Sequence, residues 1–342
     1  MKRFAIILAA IGLAACNGMW EKDAMSVQPS LYPTLDGSPP LIIAHRGASG
    51  ERPEHTLPAY ALAIEMGADY IEPDLVITKD GQLVARHDNY LSTTTDVEER
   101  AEFAGKYRWS AKFERQDWFV EDFTLKELKT LRARQAFPGR SAAYDGQFEI
   151  PTFDEIMALA RARSDELGRR IGVYPETKNP SYFKSLGLDF EAPLLDILGR
   201  YGYGAKGSPV FIQSFEKEIL QSLRGKTELR LIMLLYPRRE DHPEAGPLEP
   251  HIRLEEAARL ADGVGPAKSL LLTEDGGDSG FVAAAHALGL AVHPWTFRAD
   301  QLPKGTATAQ EEFLTYFRLG VDGVFTDYPD LGRQALTDFK PK

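Results

Sequence analysis

The 342-residue chain is predicted to fold as an α/β barrel of eight strand–helix units, the TIM (β/α)8 architecture. Three observations carry this. From about residue 41 onward, short apolar runs alternate with helical patterns, which predicts βα units and a mostly parallel sheet. With 83–87 counted as the hairpin partner of the strand before it, the βα-type strands number eight, as a barrel needs. No G-x-G-x-x-G follows the first strand, which argues against an open doubly wound sheet.

Strands are expected at 41–44, 70–76, 83–87, 171–178, 210–214, 230–236, 269–273, 291–296 and 323–326. Helical patterns occupy 57–66, 153–167, 193–201, 216–223, 254–261, 279–288 and 309–319. Thr152-Phe153-Asp154-Glu155 has the form of a capping box opening one of them. No repeat at a solenoid period is visible. Residues 89–150 break the alternation: they are rich in charge and in aromatics, including Trp109, Trp118, Phe119 and Phe123. They are read as an insertion at the loop end of the barrel, after the second strand region, where substrates are met.

The amino terminus has a different character. Lys2 and Arg3 precede an apolar run from Phe4 to Ala15, too short to cross a membrane and suited to a signal peptide. Leu13-Ala14-Ala15-Cys16 resembles the lipobox of bacterial lipoproteins, which implies lipidation of Cys16 after cleavage of 1–15. Residues 16–40 then read as a flexible tether, and 41–342 as the barrel domain. The expectation is an exported protein, lipid-anchored on the periplasmic side of the bacterial envelope. Asn17, rather than Asp, after the cysteine leans towards the outer membrane. Forty Lys and Arg against 50 Asp and Glu give a net charge of −10, which makes nucleic acid an unfavourable partner. A single cysteine excludes an internal disulfide framework and any thiolate zinc site.

The chemistry gathers at the carboxyl ends of the first strands. Strand one runs into His45-Arg46, strand two carries Glu72 and Asp74, the hairpin strand ends in His87-Asp88, and the third parallel strand holds Glu176 and Lys178. Residues i and i+2 of a strand face one side, so Glu72 and Asp74 project together, as do Glu176 and Lys178. A barrel interior is normally apolar, and three carboxylates converging there call for a cation. All-oxygen ligation favours Ca2+ or Mg2+ over zinc. Two histidines suit acid–base chemistry near neutral pH, and Arg46 and Lys178 suit an anionic substrate such as a phosphate. Together these groups describe phosphodiester cleavage.

At these residues the chain resembles the glycerophosphodiester phosphodiesterases. The resemblance rests on AHRGASGERPEHTLPA at 44–59, GADYIEPD at 67–74, TKDG at 78–81 and LVARHD at 83–88, followed by IPT at 150–152 and YPETK at 174–178. ADGVGP at 261–266, VHPWT at 292–296 and FTDYPD at 325–330 continue it in order, over about 41–331. PEHT at 53–56 and RADQLP at 298–303 are similar to the periplasmic, calcium-dependent branch of that family. Carried over by position, the resemblance implies a TIM barrel in which Glu72, Asp74 and Glu176 hold the metal. It also implies His45 and His87 as the acid–base pair, with Arg46 and Lys178 on the phosphate, and release of sn-glycerol 3-phosphate and an alcohol.

Blander assignments compete at several positions. The competing assignment for His45 and His87 is as structural histidines, and for Glu72 and Asp74 as a pair bridged to Arg46 or Lys178. Gln213 is read as reaching the site, and Trp295 and Phe215 as shaping the alcohol pocket or simply packing. Glu54 and His55 support either the site or the start of the following helix. His293 reads as packing, whereas His242, His251 and His286 read as surface residues and 238–242 as a solvated loop. Two other functions are weighed: a phospholipase-like barrel enzyme acting on intact lipids, and a surface lipoprotein with an added ligand-binding role.

Overall fold

The computed structural model describes residues 32–238 and 248–341. The expected signal peptide, Cys16 and the tether as far as residue 31 lie outside the described residues, as do His242 and the loop around it. Eight strand positions close into a parallel barrel. They are Leu41–His45, Tyr70–Glu72 with Asp74–Ile77, Gly172–Val173 with Glu176–Thr177, Phe211–Ser214, Arg230–Leu235, Gly263–Pro266, Ala291–Val292 and Gly323–Thr326. The first strand pairs in parallel with both the second and the last, so the sheet has no open edge there. Backbone bonds from Asp322 N–H to Val292 and from Phe325 N–H to Pro294 join the last two strands. Leu83–Ala85 runs antiparallel to Asp74–Ile77, the hairpin expected of it.

The second and third strands are each interrupted by a proline, Pro73 and Pro175, which has no N–H to donate. The ladder survives because both carbonyls still accept, from Glu176 N–H and Gln213 N–H at 2.9 Å each. One expected strand is wrong: 269–273 is not extended, and Lys268–Leu270 is a 3-10 turn. The strand is Gly263–Pro266, which β-propensity overlooks. Its glycines are needed, since a Cβ on Gly263 would lie 2.8 Å from both the Ala291 carbonyl and Ile232. Leu270 and Leu271, which suggested the strand, are buried side chains of the turn. Besides the short Leu125–Leu128, two helices were not foreseen, Pro180–Ser185 and Pro329–Asp338, both opening with proline in the first turn, where its missing N–H costs nothing. Phe153–Leu167 is capped by the reciprocal Thr152–Glu155 box.

The barrel interior below the site is aromatic. Tyr70, Tyr174, Phe211 and Phe325 are buried with Ile43 and Ile232, and Tyr174 stacks on Phe211 at 4.9 Å. Gly172 makes room for this layer, because a Cβ there would meet the Tyr70 ring at 2.3 Å. His293 lies in the same layer, its Nδ1 sharing a 2.8 Å hydrogen bond with the Tyr174 hydroxyl, the packing role expected of it. His286, expected at the surface without a partner, instead bonds Asp322 at 2.8 Å.

Residues 32–40, expected as the end of a tether, pack on the amino-terminal end of the barrel. Tyr32 faces Phe339 with ring centroids 6.1 Å apart, and Leu35 N–H donates to Asp322 at 2.6 Å. Residues 89–150 contribute three short 3-10 helices, a two-stranded hairpin and the four-residue helix Leu125–Leu128, none of them part of the barrel sheet. No described helix is long and apolar enough to cross a membrane.

Candidate active site

Strand register sets the site. His45 lies level with Glu72, while Asp74, Glu176 and Gln213 lie level with one another on three adjacent strands. Five polar side chains from four neighbouring strands, in two adjacent rows, therefore face one region near the carboxyl end of the barrel. Glu72, Asp74 and Glu176 bring carboxylate oxygens within 4.8 Å of one another, all three buried. They line a cavity of about 120 Å³ with His45, Arg46, His87, Lys178, Gln213, Phe215, Trp295 and Arg298. Every site residue named from the sequence within the described chain is thus in one place.

The backbone bends sharply to present them. Arg46 and His55 both adopt left-handed φ, +60° and +56°, a conformation unusual for side-chain-bearing residues and concentrated at functional sites. The turn between them is closed by His55 N–H donating to the Arg46 carbonyl. Arg46 donates to Glu54 at 2.9 Å and lies 3.3 Å from Asp74. His55 bonds Asp74 at 2.9 Å and the Tyr60 hydroxyl at 2.8 Å. Glu54 and His55 therefore support the site, one orienting the guanidinium and the other a carboxylate.

Charge in this cluster is unbalanced. Burial, followed by repulsion from Asp74 and Glu176, pushes the Glu72 carboxyl well above the usual carboxylate range. Burial also pushes Glu176 up to about 8, with Lys178 opposing. Burial disfavours ionised Asp74 too, yet Lys178, the His55 hydrogen bond, His87 and Arg46 hold it well below its ordinary value. The Lys178 ammonium sits 2.8 Å from Glu176 and 3.7 Å from Asp74. Gln213 donates to Glu72 at 3.0 Å, while its own carbonyl oxygen is buried with no partner among the described residues. Three crowded carboxylates and an unsatisfied neutral oxygen fit a hard cation and offer it only oxygen donors.

Both histidines are backed by acids. His45 Nδ1 is 2.7 Å from Asp327, and His87 Nδ1 is 3.0 Å from Asp88. Burial would raise the Asp327 carboxyl, but the His45 hydrogen bond, Arg298 and Arg140 hold it far below the usual range. An ionised Asp327 places the His45 proton on Nδ1 and leaves Nε2 as an acceptor, where Arg46 Nε donates at 3.2 Å. Burial and the neighbouring Arg46 hold His45 down to about 4, and the same two causes lower His87. Each is neutral near pH 7 and able to exchange a proton. Trp295 forms a wall of the cavity, its indole N–H donating to the Gly265 carbonyl at 2.7 Å and its ring edge-on to Phe215.

Sequence reasoning passed over Asp327, Arg298 and Arg140 as site residues. Asp327 directly follows the eighth strand, the position where a barrel presents functional groups, so a signal existed. Arg140 had none. It comes from the irregular 89–150 segment and donates to Asp300 and to Asp327, each at 2.7 Å, and to the Ser49 carbonyl at 3.2 Å.

Known proteins resemble this chain in sequence and in fold. A glycerophosphodiester phosphodiesterase of Arabidopsis thaliana is 36% identical over 86% of this chain and 85% of its own length. One from Haemophilus influenzae is 30% identical over 99% of this chain and all of its own. Among solved structures, a phosphodiesterase of Oleispira antarctica in complex with the product sn-glycerol-3-phosphate superposes with TM-score 0.63 at 23% identity, covering 89% of this chain and 99% of that one. A putative glycerophosphoryl diester phosphodiesterase of Silicibacter pomeroyi reaches 0.66 at 22% identity, covering 90% and 98%. These two likenesses speak for the barrel. The sequence pattern of the glycerophosphoryl diester phosphodiesterase family matches residues 45–331, from His45 of the first strand to just beyond the Asp327 that backs it, and the chain belongs to that family.

Proposed function

We propose that this phosphodiesterase hydrolyses glycerophosphodiesters to sn-glycerol 3-phosphate and a free alcohol, using His45 and His87 as an acid–base pair beside a divalent cation. The observation that carries the reading is the meeting, in one small cavity, of an oxygen-rich acidic triad, two acid-backed neutral histidines and two cationic side chains. Glu72, Asp74 and Glu176 would hold the cation: hard oxygen donors suit Ca2+ or Mg2+, and the similarity of 53–56 and 298–303 to the calcium-dependent branch favours Ca2+. Bound there, such an ion would neutralise charge on the phosphoryl oxygens, a contribution of several kcal/mol by order of magnitude.

The protein's own groups do the rest. Arg46 is fixed by Glu54 and keeps its charge at any working pH, and with Lys178 it binds the phosphate. One neutral histidine takes the proton of the attacking oxygen, and the other, charged at Nε2 beside the anionic phosphate that favours its protonated form, gives that proton to the departing alcohol. The attacking oxygen is either the free glycerol hydroxyl, by way of a cyclic phosphate, or water. Asp327 and Asp88 hold the two rings so that Nε2 is the exchanging atom in each.

Assay of protein lacking residues 1–16 on glycerophosphocholine tests this. Release of sn-glycerol 3-phosphate that is lost on chelation and restored by calcium better than zinc is the expected result. Activity unchanged in chelator overturns the triad's role. Cleavage of phosphatidylinositol or sphingomyelin, with no action on glycerophosphodiesters, overturns the substrate class. The same reading places the enzyme on the periplasmic side of the envelope, anchored through lipidated Cys16. Radiolabelled palmitate should enter the wild type and not Cys16→Ala; equal labelling refutes the anchor.

A further inference from the structure

Arg86 sits between the hairpin strand Leu83–Ala85 and His87, and only 1% of it is exposed. A guanidinium keeps its charge, and a buried one is ordinarily matched by a carboxylate. Here, among the described residues, every hydrogen bond of the side chain goes to a backbone carbonyl. Nε donates to Ala85 at 2.6 Å, Nη1 to Thr94 at 3.4 Å, and Nη2 to Glu54 and His55 at 3.1 Å each. The Arg86 N–H donates to the Asp74 carbonyl at 3.0 Å.

Two of these carbonyls belong to the turn after the first strand, where His55 holds a left-handed φ of +56°. On that turn the Glu54 carboxylate holds Arg46 at 2.9 Å, and the His55 ring holds Asp74 at 2.9 Å. Thr94 belongs to the irregular 89–150 segment, and its carbonyl also accepts from Arg134 N–H at 2.8 Å. One buried cation therefore grips the supports of a phosphate-binding arginine and of an acidic-triad carboxylate, one residue before His87. An apolar side chain would fill the same space, but it would leave the Glu54 and His55 carbonyls without this donor and the left-handed turn free to relax.

We propose that Arg86 is a positioning residue, which locks the Glu54–His55 turn to the strand leading into His87 and so keeps Arg46, Asp74 and His87 in one arrangement. The proposal rests on the phosphodiesterase reading and deepens it. The test measures glycerophosphocholine turnover and thermal melts for the wild type, Arg86→Lys, Arg86→Met, Glu54→Gln and the Arg86→Lys, Glu54→Gln double variant. Gly172→Ala, away from the site, serves as a structural control. Arg86→Lys keeps the charge and Arg86→Met the bulk, yet neither can hold the same set of carbonyls. Both should stay folded with kcat/KM lowered on the order of 100-fold, the cost of about an ångström of misplacement, and the lysine should be the less impaired. Glu54→Gln should cost roughly tenfold in the wild type but less than about threefold in Arg86→Lys, where the turn is already loose. Gly172→Ala should lose melting temperature and keep kcat/KM within about threefold. Effects that multiply in the double variant, or activity that follows melting temperature across all variants, overturn the role of Arg86 and leave the phosphodiesterase reading standing. Failure of both Arg86 variants to fold assigns the residue to the fold alone and overturns it too. A wild type with no turnover of the diester overturns both.

Discussion

Replacing Asp327 by Asn removes one charge and changes no volume, yet the surroundings give it a large predicted effect. In the wild type one carboxylate oxygen accepts from His45 Nδ1 at 2.7 Å, while the other accepts from Arg140 at 2.7 Å and Arg298 at 3.0 Å. An asparagine has only one accepting oxygen, and two guanidinium groups claim it. Its NH2 then faces His45 Nδ1 and forces the imidazole proton onto Nε2. There it collides with the N–H that Arg46 donates at 3.2 Å, and Nε2 no longer accepts a proton. Loss of the correct tautomer of a catalytic imidazole lowers kcat on the order of 10³–10⁴-fold. Asp327 does not line the cavity, so KM should change little. Arg140 keeps Asp300 as a partner, so the fold should survive with a modest fall in melting temperature. Steady-state release of sn-glycerol 3-phosphate, with a thermal melt of the same sample, measures both quantities. A folded Asp327→Asn enzyme with kcat within about threefold of wild type, where a lost tautomer demands orders of magnitude, refutes the tautomer argument.

Three further outcomes follow from the same structure. His45→Ala and His87→Ala should each lower turnover by roughly 10²–10⁴-fold while the protein stays folded; near-wild-type rates in either sink the acid–base pair. His293, 1% exposed, is held by burial at about 4 instead of 6.5, so the folded state resists the proton that the unfolded chain accepts. Its contribution is intact above pH 6.5 and lost as pH falls towards 4, by up to about 3 kcal/mol. Urea unfolding at pH 7.5 and 4.5 should show a smaller acid loss in His293→Gln than in wild type, and equal losses would contradict the assignment. Gly172→Ala should cost about 1–3 kcal/mol, because the new methyl meets a Tyr70 ring that Phe211 and Arg230 already confine; an unchanged melting temperature would show that the layer yields.

Much of the barrel and its centre was legible because both rest on local signals. Apolar runs marked seven of the eight parallel strand positions, and Glu72, Asp74 and Glu176 were conspicuous as charges where an apolar interior was expected. What escaped was non-local or ran against propensity. Gly263–Pro266 looks like a turn until its neighbours require glycine. Pro180 and Pro329 look like breaks, although each begins a helix. Arg140 reaches Asp327 across 187 residues of sequence, and no periodicity foretells such a contact.

The His45–Asp327 contact also says how the fold and the chemistry depend on each other. These residues are 282 apart in sequence and stand side by side only because the first and last strands pair, Ala44 level with Thr326. Closing the barrel therefore completes the histidine's support, and a chain with its last strand detached would keep the acidic triad but not an oriented His45. Arg140 adds a second condition, since it ties the irregular 89–150 segment to that same carboxylate. At the other end of the last strand, on the face opposite the site, Asp322 receives Leu35 N–H. One strand, Gly323–Thr326, thus has the Leu35 contact beside its start and the carboxylate that positions His45 beside its end. A substitution that shifts its register by one residue would misplace Asp327 while leaving Glu72, Asp74 and Glu176 in register with their own neighbours.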